Sequence, residues 1–301
     1  MKTSLILIIG TGALATLFAA RLSAAGVDVT MLGTWQAGLD ALRKEGARLV
    51  GADGVERAYP VRATDDPVEC RGARFALVLV KGWQTERAAR QLYTCLDEEG
   101  LALTLQNGLG NREILAGPLG FWRVALGVTT IGATLLTPGL ARLGGEGPVS
   151  IEAHPRLGPL EAVLRTAGFV VNVVADARSL VWGKLVISAA INPLTAFLRV
   201  PNGELLHRPA ARLLMDELAH EAAAVARALG VSLPFEGPES AVEEVARRTS
   251  ANRSSMLQDV LRGAPTEIDA ICGAIVRAGE ERGVPTPVNR VMWHLVKALA
   301  E

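Results

Sequence analysis

Lysine is scarce in this chain of 301 residues, which carries five of them against 26 arginines. General surface coverage therefore does not account for a lysine in uncharged surroundings. Cysteine is scarce too. Cys70, Cys95 and Cys272 are odd in number, widely separated and without metal-type pairing, which excludes a disulfide framework and fits a compartment where thiols stay reduced, the cytoplasm. No charge excess exists, since 31 basic side chains balance 31 acidic ones. With no stretch concentrating either sign, nucleic acid is not an expected partner. His154, His207, His220 and His294 fall at unrelated places, with no metal spacing and no serine or cysteine elbow nearby, so no metal is expected. Long apolar runs are also missing. Lys2 followed by Leu5 to Ile9 has the outline of a signal peptide, but Gly10-Thr11-Gly12 interrupts it and Arg21 closes it. The run falls short of the ~20 residues that span a bilayer, and no other segment reads as long and apolar enough, so no membrane association is expected.

Half of the residues are apolar, enough for a substantial core, and the length suggests two domains. From Leu5 to about Val174, short β-like runs alternate with alanine-rich helical stretches. Leu5–Ile9, Val27–Leu32, Phe75–Val80 and Leu101–Leu105 are nearly continuous in apolar character, as strands covered on both faces must be. Further runs near Ala125–Ala133, Ala141–Leu143, Val149–Glu152 and Val170–Val174 extend the sheet with shorter, partly antiparallel strands. After Asp176 the periodicity becomes helical: Leu180–Leu198, Pro209–Leu229, Pro238–Arg248, Ser255–Leu261, Thr266–Arg282 and Pro287–Ala300. The expected organisation is α/β, with a Rossmann-type dinucleotide-binding domain over residues 1–175 and an all-α substrate and catalytic domain over 176–301.

Gly10-Thr11-Gly12-Ala13-Leu14-Ala15 lies between a buried strand and a helix. The first glycine permits a tight turn and the second lets backbone approach a pyrophosphate resting on the helix N-terminus. Ala15 replaces the third glycine, whose place serves helix-to-strand packing. The end of the second strand ordinarily selects between the two nicotinamide cofactors by charge. Here it reads Met31-Leu32-Gly33-Thr34-Trp35, so only Thr34 offers a polar group, to a hydroxyl or a phosphate, with Arg43 a distant candidate.

Lys81 ends an apolar strand, which at the C-terminal edge of a parallel sheet puts an ammonium where ligands bind. Lys184, Ser188 and Asn192 recur at i, i+4 and i+8 in an otherwise apolar helix, forming one polar column. Such groups need a ligand, a protein partner or water. Pro193 follows at once, and should kink or end the helix near Asn192. Asparagine is scarce at seven residues, and Asn107-Gly108, Asn192 and Asn202-Gly203 fall in turn-like or apolar settings. Turn chemistry explains each singly. Ser254 or Ser255 reads as an N-cap, and Glu267 as a charge in the first turn of a helix.

Taken in order, Gly10 and its turn, Lys81-Gly-Trp-Gln-Thr85, Leu105-Gln-Asn-Gly108, Lys184 to Thr195 ending in Ile191-Asn-Pro-Leu-Thr195, Pro201-Asn-Gly-Glu204, Ser254-Ser-Met-Leu-Gln-Asp259 and Thr266-Glu-Ile-Asp269 resemble the ketopantoate reductase (2-dehydropantoate 2-reductase) family along the whole chain. The resemblance implies an enzyme of pantothenate biosynthesis in which NADPH reduces ketopantoate to (R)-pantoate. By position it makes Lys184 the general acid and Glu267 the carboxylate that orients it and the substrate hydroxyl. It places Asn107, Asn192, Asn202 and Ser255 around substrate and nicotinamide, and Lys81 near the cofactor or the substrate carboxylate. Cofactor contacts implied are Gly10, Thr11, Gly12, Ala13, Leu14, Thr34, Lys81, Asn107 and Glu267. A protonated lysine suits hydride attack on a ketone, because it stabilises the charge developing on oxygen and delivers the proton. Thr34 stands where a basic residue often marks the NADP phosphate, which leaves NADH open beside NADPH. Ser188 stands where an asparagine often sits, which leaves another small 2-oxo acid open beside ketopantoate. A dinucleotide-binding sensor without turnover is the reading from another class, and it has no use for Lys184 and Glu267 together. For partners, the expectation is a small 2-oxo acid and a homodimer through an apolar helical face.

Overall fold

The computed structural model describes residues 6–299. Leu5 and Ala300, at the ends of two expected elements, lie outside them. By internal contacts the chain divides into two units: one runs to Gln106 and resumes over Asn111–Ala177, and the other takes Asn107–Gly110 and the chain from Arg178 onward.

The first unit is α/β. Its main sheet has eight strands: β1 (Ile6–Ile9), β2 (Val29–Leu32), β5 (Arg62–Thr64), β6 (Ala73–Val78), β7 (Leu96–Thr104), β8 (Val124–Thr129), β11 (Val149–Glu152) and β12 (Val171–Val174). Their spatial order is β12-β11-β8-β7-β6-β1-β2-β5, parallel throughout except where β11 meets β8. Alternation along β1 explains why it is apolar at every position. Ile6 and Ile8 join a core with Phe18 and Leu77, while Leu7 and Ile9 join a separate one with Ala76, Val78 and Leu92. The helix on the first of these faces, α1 (Ala13–Ala24), also packs on a second sheet of β3 (Ala47–Val50), β4 (Glu56–Tyr59), β9 (Gly132–Thr137) and β10 (Leu140–Gly145), ordered β4-β3-β10-β9. It is buried from both sides, with Phe18 stacked on Phe169 at 4.4 Å between ring centroids. The remaining helices of this unit are α2 (Gln36–Glu45), α3 (Thr85–Cys95), α4 (Asn111–Leu119) and α5 (Gly158–Thr166).

Two differences from expectation have a physical reason. The runs at 125–133 and 141–143 do not simply prolong the main sheet, because β9 and β10 leave it to build the second one. Strands β3, β4 and β5 carry no apolar run; β4 reads Glu-Arg-Ala-Tyr and is mostly exposed, so only pairing makes it a strand.

The second unit is helical: α6 (Ala177–Leu198), α7 (Pro209–Ala228), α8 (Pro238–Arg248), α9 (Ser255–Leu261), α10 (Cys272–Arg282) and α11 (Pro287–Ala298). Proline opens α7, α8 and α11, where its missing N–H costs no helical bond. As the periodicity predicts, α6 runs to Leu198 and does not end at Asn192 as Pro193 alone would allow; it continues five residues past the proline, packed by Ile191, Leu194, Thr195 and Ala196, all buried. Tertiary packing here overrides the local preference against proline. Helix α6 also meets the length and hydropathy of a membrane span, 22 residues with mean hydropathy 1.4, which corrects the expectation that no segment would. Its apolar window is 61% buried within the fold, and Leu185, Val186, Ala189 and Ala190 contribute to the unit's core. The helix expected from Thr266 begins only at Cys272, and Glu267 sits in the turn before it, its carbonyl accepting from Ala270 N and Ile271 N at 3.1 Å each.

Candidate active site

Topology marks the position of a site in the first unit. From β1 the chain proceeds to β2 and β5 on one side and then crosses to β6, β7 and β8 on the other. The order reverses between β1 and β6, and ligands of such sheets bind beyond the carboxyl ends of the strands at that reversal. Two segments emerge there. Gly10 follows β1 with φ +128°, and a Cβ on it would lie 3.1 Å from the Leu79 carbonyl oxygen, so both torsion and space demand glycine. Leu79 N in turn donates to Ile9 O at 3.0 Å, which ties the glycine turn to the segment leading to Lys81. Gly12 caps α1 without any side-chain hydrogen bond, no acidic residue occupies the first turn of the helix, and a Cβ on Gly12 would meet nothing within 4 Å. The backbone beside Thr11, Ala13 and Leu14 is therefore open to an anion, with the helix dipole favouring one. These residues fit a dinucleotide pyrophosphate.

Lys81 lies three residues past the end of β6 and caps a 3-10 turn, Gly82–Gln84. Gln106, a motif residue whose place in the sequence suggests no role of its own, braces this turn. Its Nε2 donates to Val80 O at 3.0 Å and to Thr85 Oγ1 at 2.9 Å, and its Oε1 accepts from Thr104 Oγ1 at 3.0 Å. Thr85 Oγ1 also lies 2.8 Å from Gly82 O and 2.7 Å from Asn111 Oδ1. The two motifs Lys81–Thr85 and Leu105–Gly108 are thus parts of one hydrogen-bonded assembly, a signal visible in sequence only as their joint presence. Thr34 is exposed after β2. Arg43 is committed elsewhere, to Ala63 O at 2.9 Å, Asp65 at 3.1 Å and Asp40 at 3.3 Å.

In the second unit, the column predicted on α6 is present. Lys184, Ser188 and Asn192 form a partly exposed stripe on a helix whose neighbouring positions Leu185, Val186, Ala189, Ala190 and Ile191 are buried. Removal from water pushes the Lys184 ammonium down from 10.5 to about 8, against the pull of the Glu267 charge, which raises it. Glu267 is itself buried, 5% exposed, and accepts from Asn107 Nδ2 at 3.4 Å. Asn107 reaches it because two turns dock. Leu109 N donates to Ala270 O at 3.1 Å, and Gly108, at φ +84°, has room for no Cβ, since one would lie 2.5 Å from that oxygen. Lys184, Glu267 and Asn107 form one electrostatic group.

Asn192 and Ser255 are related through their neighbours. Ser254, not Ser255, is the N-cap of α9, accepting from Leu257 N at 3.1 Å, and it bonds Thr195 on α6 at 2.7 Å. Ser255 opens the helix and is partly exposed. Asn202 is nearly buried, 7% exposed. Its backbone N donates to Asn252 O at 3.0 Å and its Nδ2 to Thr249 Oγ1 at 2.9 Å, while its buried Oδ1 has no hydrogen-bond partner. An unmet acceptor at that depth is the kind of group a bound hydroxyl satisfies. A cationic, desolvated donor paired with a carboxylate that an amide also bonds can hold an oxyanion and protonate it.

Known proteins are similar to this chain along most of its length. The family pattern described as Ketopantoate reductase PanE/ApbA matches residues 6–156, and that described as Ketopantoate reductase PanE/ApbA C terminal matches residues 176–300. The 2-dehydropantoate 2-reductase of Archaeoglobus fulgidus is 38% identical, with 99% of each chain covered, and that of Halobacterium salinarum is 35% identical, with 96% of each covered. Among solved structures, a PanE/ApbA family ketopantoate reductase from Ralstonia eutropha JMP134 superposes with a TM-score of 0.91 at 32% identity, covering 98% of both chains. The chain belongs to the ketopantoate reductase family.

Proposed function

We propose that this chain is a 2-dehydropantoate 2-reductase, an oxidoreductase converting ketopantoate to (R)-pantoate with NADPH, with NADH left open as a second donor by the uncharged Thr34. The observation that carries the reading is Lys184, a lysine desolvated to a pKa of about 8 beside the buried carboxylate of Glu267. Curated relatives at 35% and 38% identity bear that enzyme's name. A sensor without turnover has no use for a lysine so tuned.

Residues 1–175 serve as the dinucleotide-binding domain and 176–301 as the substrate and catalytic domain. Gly10, Thr11, Gly12, Ala13 and Leu14 hold the pyrophosphate on backbone N–H groups, with Thr34, Lys81, Asn107 and Glu267 contacting the cofactor elsewhere. When bound, the reduced nicotinamide supplies the hydride. Reduction of the ketone puts that hydride on carbon and a proton on oxygen. Lys184 delivers the proton from Nζ, and its charge stabilises the alkoxide as it develops. Glu267 keeps Lys184 protonated against desolvation and accepts from the substrate hydroxyl. Asn107, Asn192, Asn202 and Ser255 hold the 2-oxo acid in position, and Lys81 supports a carboxylate or phosphate by charge. The three cysteines are buried and unpaired, with burial raising the thiol of Cys70 to about 11 and of Cys95 to about 12, inert groups that suit the reducing cytoplasm.

The test is a panel of small branched 2-oxo acids with NADPH and NADH, followed by nicotinamide absorbance. Ketopantoate leading the panel in kcat/KM is the expected result. Another 2-oxo acid leading overturns the substrate, and tight cofactor binding with no reduction of any 2-oxo acid overturns the enzyme.

A further inference from the structure

The hydroxyls of Thr195 and Ser254 lie in the second unit, and neither takes part in the chemistry proposed for Lys184 and Glu267. Thr195 is fully buried and Ser254 is 6% exposed. Burial of a hydroxyl is costly unless its hydrogen bonds are made. Counting protons orders the bonds. Ser254 Oγ accepts from Leu257 N at 3.1 Å, which leaves its own proton free to go to Thr195 Oγ1, 2.7 Å away. The Thr195 proton then goes to the backbone carbonyls of Ile191 and Asn192, each 3.0 Å from Oγ1. The result is a continuous chain: Leu257 N–H to Ser254, Ser254 O–H to Thr195, Thr195 O–H to Asn192 C=O, with no donor left over.

Its two ends lie on the two elements that carry Asn192 and Ser255, residues of the proposed substrate site. One end is the carbonyl of Asn192 itself, on the turn of α6 where Pro193 has removed a helical N–H. The other is the cap of α9, whose first residue is Ser255. Backbone bonds alone do not join these two elements, and apolar packing tolerates sliding where a directional hydrogen bond does not. Thr195 also anchors the end of α6, where its carbonyl accepts from Val200 N at 3.2 Å just past Arg199, a non-glycine residue at φ 55°.

We infer that Thr195, through Ser254, is a positioning residue for 2-oxo acid binding: its hydroxyl fixes the spacing between the side chains of Asn192 and Ser255. This rests on the reductase reading above. The separation decides whether both side chains can bond one small substrate at once, since a misplacement of ~1 Å in such a constellation is costly.

The test uses the whole enzyme with ketopantoate and either nicotinamide. Thr195→Val keeps the volume and deletes the hydroxyl, Thr195→Ser keeps the hydroxyl, and Ser254→Ala breaks the same link from its other side. Loss of one neutral hydrogen bond corresponds to ~3- to 10-fold, so kcat/KM for the 2-oxo acid should fall by that factor in Thr195→Val, mostly through KM. Cofactor affinity should stay at the wild-type value, Tm should fall only by what one buried hydrogen bond is worth, and Thr195→Ser should restore both KM and Tm. The double variant should lose little beyond Ser254→Ala alone, because both remove one link. If Thr195→Val does not fold, the KM shift of Ser254→Ala, set against unchanged cofactor affinity, reports in its place. An active wild type with Thr195→Val within ~2-fold of it in KM, less than one hydrogen bond is worth, overturns the inference alone. A loss in cofactor affinity as large as the loss in KM, without rescue by serine, overturns it also, as a structural role. A wild type inactive on every 2-oxo acid overturns the reductase reading and the inference with it.

Discussion

The two units of this chain present chemistry in opposite ways. In the α/β unit the candidate cofactor contacts at Gly10 and Gly12 are places where side chains are absent, so backbone N–H groups and a helix end face the ligand. In the helical unit the candidate site consists of side chains, Lys184, Glu267 and Asn107, whose properties come from burial and from each other. A pyrophosphate is recognised by shape and partial charge, which backbone supplies without titrating. Proton transfer requires a group whose charge can change near neutral pH, and for a lysine desolvation provides that.

The difference predicts separable failures. The largest effect belongs to Lys184. Lys184→Ala should lower kcat by ~100-fold or more, the usual contribution of a positioned acid, while cofactor affinity measured by fluorescence titration stays near wild type. A loss below ~10-fold would remove Lys184 as the acid.

Conversely, Gly10→Ala strikes only the backbone site. A methyl there meets Leu79 O and forces an L-residue to φ +128°, a strain of ~1–3 kcal/mol. The expected outcome is a lower Tm and ~10-fold weaker dinucleotide binding on that scale, with the alkaline pH limit of turnover unmoved. A shift in that limit would show the two regions to be coupled.

Titration sharpens the comparison further. As the proposed acid, Lys184 has to be protonated, so kcat/KM should fall as pH rises through about 8. Stability should move the other way. With a pKa near 8 folded and 10.5 unfolded, the unfolded chain holds more protons between those values, so stability rises with pH across that window. Glu267→Gln removes the charge that raises Lys184, so the activity limb should shift to lower pH, which a pH–rate profile reads directly.

A second carboxylate of the helical unit provides the contrast to Glu267. Glu221 accepts from Val288 N, Asn289 N and Asn289 Nδ2, each at 2.8 Å, which pins the start of α11. Glu221→Gln should cost ~1–2 kcal/mol of stability in chemical denaturation, the scale of a charge-assisted bond, with the pH profile unchanged. The smallest effect is expected at Thr34. Thr34→Arg adds an exposed cation near the site and should improve NADPH over NADH only several-fold, consistent with the ~0–1 kcal/mol of exposed ion pairs.

Much of this was legible in the residues. Apolar runs at Leu5–Ile9 and Val27–Leu32 read as strands buried on two faces, and β1 and β2 form within them; the glycine turn after β1 presents backbone that a pyrophosphate would fit. The lysine, serine and asparagine column on α6 followed from spacing alone. Other features were not legible. Strand β4 has no apolar alternation and exists because β3 pairs with it. Pro193 reads as a helix breaker, yet surrounding contacts carry α6 past it. Gln106 looked like one letter of a motif until its bonds to Val80 and Thr85 showed it holding the Lys81 turn.

By itself, the sequence determined which residues were able to do chemistry: a rare lysine in an apolar helix, glycines where backbone must be bare, and asparagines where the chain turns. Identity and spacing along one element are local properties, and local properties are written in order. The tertiary structure decided which of those residues meet. Glu267, predicted in a helix, lies in a turn where Asn107, 160 residues away, reaches it. Lys184 titrates near 8 because the fold removes water from it. Desolvation and long-range pairing depend on what the whole chain packs around a group, and no single stretch of sequence contains that.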